Sequence, residues 1–249
     1  MPPAVPVPPA DPRWPADPVP PADPVRLDGL VWPELAGRAE RSILAVPLGS
    51  TEQHGPHLPL GTDSAVATAL ARRLAAARPD VVVAPALPYG SAGEHAAFPG
   101  TLSIGAAALE LVVVELVRSA DAFAGVVLVS GHGGNAAPLA AAVATLEADG
   151  RPVLAWSPRI PGGDAHAGRT ETSLMLALAP GGVRLAAAEA GDARPLAAVI
   201  GELRQGGVAA VSPNGVLGDP SGASAEEGER LLDTLAADLV ASVEAWQRR

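Results

Sequence analysis

The chain has 249 residues, a mass of 24.9 kDa, a formal charge of −10 and no cysteine. Its length suits one large α/β domain, and 48% hydrophobic against 18% charged residues supplies a full core. The missing cysteines exclude disulfides, thiolate metal sites and a thiol nucleophile, while the acidic balance and 3% aromatics disfavour nucleic-acid binding.

Residues 1–25 form a compositional zone of their own, with PADP at Pro9–Pro12, Pro15–Pro18 and Pro21–Pro24. Proline fixes φ and removes amide donors, so the expectation is a disordered arm before a domain spanning 26–249. The start lacks the basic residues and apolar core of a signal peptide, and no apolar run approaches the roughly 20 residues of a membrane span. A cytoplasmic location and no membrane partner are therefore expected. Apolar runs at Ile43–Leu48, Val81–Ala84, Val126–Ser130 and Pro152–Trp156 read as strands. Helices are expected from about Ser64 to Ala77, over 106–120, from Ala136 to Ala148, over Glu171–Leu178 and over Ala225–Trp246. Strands alternating with helices predict an α/β protein: one three-layer α/β/α domain around a mostly parallel sheet. Functional loops of such a sheet lie at the carboxyl ends of its strands.

The five histidines, His54, His57, His95, His132 and His166, all fall in polar, Gly-rich or Pro-rich segments just after strands or before helices. In the first cluster, Glu52 and His54 are two apart and share one side of an extended segment, and Asp63 stands at the entrance to the next helix. Carboxylate and imidazole together suit Zn, Mn or Fe; for Asp63 a helix-capping role is the alternative. In the second cluster, the glycines around His132 let backbone approach a ligand closely, and no P-loop lysine accompanies them. In the third, His166 and Glu171 are five apart across a helix start, where Glu171 could equally serve the helix dipole. The segment Tyr89–Thr101 reads as a loop lining the site, with Ser91, Glu94 and His95 as candidate substrate contacts; for Glu94 and His95 a loop-stabilising role is the alternative. Arg169 is a candidate partner for a substrate carboxylate or an ordinary surface ion pair.

Four segments, GSTEQHGPHLPLGTD, GSAGEHAAFPGT, GHGGN and HAGRTETS, resemble in order and spacing the signatures of the creatininase family of binuclear-metal amidohydrolases, over about residues 27–245. The resemblance implies a creatininase-like fold and two divalent ions, zinc, iron(II) or manganese(II), with Glu52, His54, Asp63 and His132 as ligands and Asp63 bridging both. It places His166 beside the metals as a substrate or proton-transfer group. Creatininase itself carries a glutamate where this chain has Gly134, and Glu171 is the expected replacement, as ligand or second proton donor. The segments GDAHAGRTETSLML and VSPNGVLGDPSGAS look most like the branch of the family that acts on a radical-SAM-modified precursor peptide ending in Val-Tyr. That branch implies a peptidase, and the family resemblance implies a homo-oligomer, a hexamer or larger. A small-amide hydrolase or deformylase, and a non-catalytic metal-binding maturation partner, are the competing expectations.

Overall fold

A computed structural model describes residues 24–249. The proline-rich arm expected over residues 1–25 lies, except for its last two residues, outside the described residues.

Four strands, β1 (Ile43–Leu48), β2 (Val81–Val83), β3 (Gly125–Ser130) and β4 (Val153–Trp156), form one sheet in the order β2-β1-β3-β4. All its pairings are parallel, with Ile43 opposite both Val81 and Gly125, and Val126 opposite Val153. Seven helices are described: α1 (Trp32–Leu35), α2 (Thr62–Ala77), α3 (Ala106–Ser119), α4 (Ala136–Ala148), α5 (Arg169–Leu178), α6 (Leu196–Val211) and α7 (Ala225–Gln247). Among the described residues, no helix is long and apolar enough to cross a membrane.

The period-two alternation of side chains divides the sheet between two cores. Ile43, Ala45, Val127 and Val129 pack with Leu70 and Leu74 of α2, Met175 of α5 and Leu239 of α7. Leu44, Val46, Leu48 and Leu128 face the other way, onto Leu109 and Val113 of α3 and Leu139 and Leu146 of α4. Both faces are thus covered, which explains why the strands read as continuous apolar runs. Pro47 sits in a central strand, where a proline usually removes a ladder bond. Here the odd-numbered residues of β1 turn their backbone toward β2, which has already ended at Val83, so the missing donor costs no pairing. The Pro47 carbonyl still accepts from the Leu87 amide at 2.9 Å.

Most expected elements are shifted by one or two residues at an end, and one helix lies where none is expected. The helix expected from Glu171 begins at Arg169, capped by Gly168. Helix α6 was not foreseen: Pro195 precedes it and Gly206-Gly207 interrupt it, with Gly207 at φ 70° and ψ −175°. Such a glycine pair argues against a helix by propensity alone.

Helices α5 and α7 cross at Gly228, where a Cβ would run into the Ser173 carbonyl, lie 2.6 Å from its carbon and 2.9 Å from the Ala177 Cβ. In an isolated helix Gly228→Ala would gain about 1 kcal/mol from propensity. In this fold the backbone collision dominates, and we expect a net destabilisation of about 1–3 kcal/mol. Urea unfolding of the variant measures it; a raised midpoint would show that the two helices are not held this close.

Candidate metal centre

The carboxyl edge of the sheet delivers the site. The loop after β1 brings Glu52 and His54, the start of α2 brings Asp63, the turn after β3 brings His132, and the segment after β4 brings His166 and then Glu171. Close backbone approach makes this possible. A Cβ on Gly49 would come within 2.6 Å of the Ser64 backbone, and one on Gly131 would run into the Asp63 carbonyl. Asp63 lies inside the first turn of α2, one position past Thr62, and Gly61 caps the helix. Its carboxylate is therefore free of capping duty and points into the cluster, where it is 2% exposed.

Six side chains converge. His54 Nε2 is 3.1 Å from Asp63 Oδ1, while His132 Nδ1 is 3.4 Å from Asp63 Oδ2 and 3.2 Å from Glu52 Oε2. Glu171 Oε2 stands 4.0 Å from both His54 Nε2 and His166 Nδ1. His166 Nδ1 is 3.8 Å from Glu52 Oε1. The two oxygens of Asp63 thus face two different histidines, as a bridging carboxylate would.

Glu52 is fully buried, yet neither of its oxygens makes a hydrogen bond, and Asp63 Oδ2 makes none either. A buried carboxylate left unpaired costs several kcal/mol, so the arrangement calls for a cation. Neighbouring ligands of a tetrahedral ion with bonds of about 2.0–2.1 Å lie roughly 3.3 Å apart. The separations of 3.1 to 3.4 Å match that spacing. Glu52, Asp63 and His132 make one group able to hold an ion, and His54, Asp63 and Glu171 make a second. Glu52, His54 and His166 make a third overlapping group. The imidazoles are oriented for this role. His54 Nδ1 donates to the Glu52 carbonyl at 3.1 Å and His132 Nε2 to the Ser91 carbonyl at 3.1 Å, so the other nitrogen of each ring faces the carboxylates.

The electrostatics agree. Burial alone would strip the His54 proton, but Asp63, Glu171 and Glu52 outweigh it and push its pKa up to about 9. Burial also opposes the charge on His132, and Asp63 and Glu52 again prevail and raise it. For Asp63, burial is outweighed by His54 and His132, which hold its carboxyl below the usual range. Burial raises Glu171. His166 behaves oppositely to His54: burial and the neighbouring His54 pull it down to about 4, so it is neutral at pH 7.

An open cavity of about 800 Å³ leads to the cluster. Its lining includes Glu94, His132, His166 and Glu171 and, from α6, Leu196, Ile200, Leu203 and Arg204. Glu94 lies 3.6 Å from His132 Nε2. Its carboxylate fills the space a side chain at Gly134 would need. His95 is buried behind Glu94, with Nε2 3.2 Å from Glu52 Oε1, and it too borders the cavity. Ser91 meets the site through its carbonyl rather than its hydroxyl. Arg169 is not brought in: it pairs with Glu227 of α7 at 2.7 Å. His57 is tied to Thr172 Oγ1 at 2.8 Å and links the β1 loop to α5. Two residues went unnoticed in the sequence. Gln53 is a buried amide hidden between two more conspicuous neighbours, and Arg204 belongs to the unforeseen helix α6.

A family profile described as creatininase, creatinine amidohydrolase, matches residues 28–243. The chain is 49% identical over 214 residues to a mycofactocin precursor peptide peptidase of Mycobacterium tuberculosis, covering 82% of this chain and 85% of that relative. A solved structure described as "creatininase Mn" superposes with a TM-score of 0.76 at 28% identity, over 89% of this chain and 98% of the other. A creatininase mutant of Zn-Zn type superposes with a TM-score of 0.75 at 27% identity, over 88% and 97% of the two chains.

Cation entry must displace the protons held by His54 and His132. Titration calorimetry at pH 7, in buffers of different ionisation enthalpy, should therefore record release of about two protons on full loading. No proton release would mean that ions bind elsewhere. The stability of the metal-free protein should carry the same signature. His54 is raised from 6.5 to about 9, so its contribution is complete below pH 6.5 and is lost as pH rises through about 9. Chelated protein should lose melting temperature across that window, and loaded protein, with no proton there to lose, should not.

Proposed function

The chain belongs to the creatininase family, and from that membership we propose that it is a two-metal peptidase that cuts a modified precursor peptide and frees a fragment derived from its C-terminal Val-Tyr pair. The hydrolase half of this reading is carried by the buried carboxylates of Glu52 and Asp63, whose oxygens are faced almost entirely by imidazoles at ligand spacing. The peptide half rests on the 49% identity to the mycofactocin precursor peptide peptidase. The cavity favours a substrate of that size: a small cyclic amide would leave most of its roughly 800 Å³ unfilled. A purely binding role would give no reason to bury so many carboxylates and imidazoles at ligand spacing.

The residues divide the work as follows. Glu52, Asp63 and His132 would hold one ion, and His54, Asp63 and Glu171 would hold the other, Asp63 belonging to both groups. Zinc, iron(II) or manganese(II) suits these donors. Bound there, the ions supply Lewis acidity toward the scissile carbonyl and an acidified water. His166, neutral at pH 7, accepts a proton on Nδ1 from the attacking water and delivers it to the departing nitrogen. Glu171 is the second proton donor when it is not engaged as a ligand. Glu94 and the apolar side of α6 border the bound chain and exclude water from it.

Mass spectrometry of loaded protein with a modified precursor peptide ending in Val-Tyr should find a shortened peptide and a small Val-Tyr-derived product. Chelator should abolish both. An intact peptide with metal confirmed in the protein would shift the reading to small amides, and formate release would identify a deformylase. His166→Ala should retain its metals by elemental analysis while losing on the order of 10²–10⁴ in turnover. Normal turnover in that variant would remove His166 from proton transfer.

A further inference from the structure

We propose that Gln53 is a positioning residue: its side-chain amide and its own carbonyl together fix His95 and His166 with the proton on Nε2. This decides which nitrogen of each ring meets the donor cluster.

The assignment follows from what each atom can do. Gln53 is 5% exposed, and all of its amide hydrogen-bonding groups are engaged. Oε1 accepts from the Gly55 amide at 2.8 Å, and Nε2 donates to the Gly215 carbonyl at 3.0 Å. A backbone N–H only donates and a carbonyl only accepts, so the amide cannot be flipped. The remaining Nε2 hydrogen points at His95 Nδ1, 2.8 Å away. That nitrogen must therefore be bare, and the His95 proton must sit on Nε2, 3.2 Å from Glu52 Oε1. His95 thereby presents a donor to a carboxylate oxygen that has no other partner.

The main chain of the same residue treats His166 likewise. His166 Nε2 lies 2.8 Å from the Gln53 carbonyl, which can only accept. The ring proton is therefore on Nε2. The 3.1 Å approach of that nitrogen to Gln53 Nε2 is then a contact between two donors, with both Gln53 hydrogens already committed. His166 Nδ1 is left bare and faces Glu52 and Glu171. The two rings stand 4.5 Å apart, so one residue sets both. The arrangement also accounts for Gly215, which has φ 82° and whose Cβ would run into the Gln53 amide. The Asn214-Gly215 turn is shaped around that side chain.

The consequence for turnover rests on the metal-hydrolase reading; the tautomers do not. With only five histidines in the chain, selective ring-nitrogen labelling gives a readable NMR spectrum of the zinc-loaded protein. In the wild type, His95 should show a bare Nδ1 and protonated Nε2, and His166 should carry no proton on Nδ1. A proton on Nδ1 of either ring overturns the proposal without any variant. Gln53→Glu replaces the donor with an acceptor and should move the proton of His95 onto Nδ1, with kcat falling on the order of 10–100-fold and KM little changed. Gln53→Leu should release His95 into mixed tautomers and leave His166 as it is, since the main-chain carbonyl remains. An unchanged His95 spectrum in folded Gln53→Glu protein would also overturn it. Failure to cleave peptide, with the tautomers as stated, would count against the peptidase reading alone.

Discussion

A carboxylate withdrawn from water must be met by positive charge, and Glu52 is the place where this chain accepts that condition. It is fully buried at the carboxyl end of β1, with both oxygens lacking a hydrogen bond and two imidazoles at 3.2 Å. Asp63 follows it in part from the first turn of α2: Oδ1 meets His54 at 3.1 Å, and Oδ2 has no hydrogen bond. Neither position makes sense as apolar packing, since the buried charge is balanced only while His54 and His132 stay protonated. Both make sense if the folded protein is completed by cations, whose binding adds stability. The surrounding histidines then act as placeholders, holding protons where ions belong.

That condition governs the local backbone. To put carboxylates from two loops within ligand distance of one another, the segments carrying them must approach more closely than side chains normally allow. Gly49 and Gly131 serve this at the start of α2. Gly134 is the more telling case. A side chain there would collide with Glu94 and with the His132 ring. A glutamate at that position and Glu94 in its present place are therefore mutually exclusive, and Glu171, at the start of α5, is the carboxylate that stands beside His54 and Asp63 instead. The exchange opens the cavity floor, because a glycine leaves His132 and Glu94 facing the space above them.

The sheet and most helices were legible because both faces of a parallel sheet are covered. Ile43–Leu48 and Val126–Ser130 must then be apolar throughout, and the helices between them must be long enough to cross over. The candidate ligands were legible because His and acidic residues clustered after strands have few structural uses. Other features depend on contacts that no local pattern encodes. Arg169 sits between His166 and Glu171 in sequence, but one helical residue later in space it faces α7, where Glu227 takes it. Gln53 looks like a spacer between Glu52 and His54; its importance arises from His95, His166 and Gly215, which lie 42, 113 and 162 residues away. Helix α6 was hidden by the glycines that let it bend.

That bend bears directly on what reaches the metals. Gly207 lies against the Glu94 carbonyl, where a Cβ would come within 2.7 Å. Helix α6 is thereby pressed onto the loop that also carries His95, and its first two turns lean over the cavity. Leu196 and Ile200 remain substantially exposed there, an arrangement that costs solubility unless an apolar group is meant to cover them. Arg204, one turn further along, is the single arginine or lysine on the cavity wall among the described residues. The deep end of the site is thus built by residues close to the sheet, which answer to the metals. The outer wall is built by a helix of different sequence character, apolar at Leu196, Ile200 and Leu203. The candidate ligands lie on the loops at the sheet edge and at the starts of α2 and α5, and none of them lies on α6, so the outer wall and the donor cluster belong to different segments of the chain.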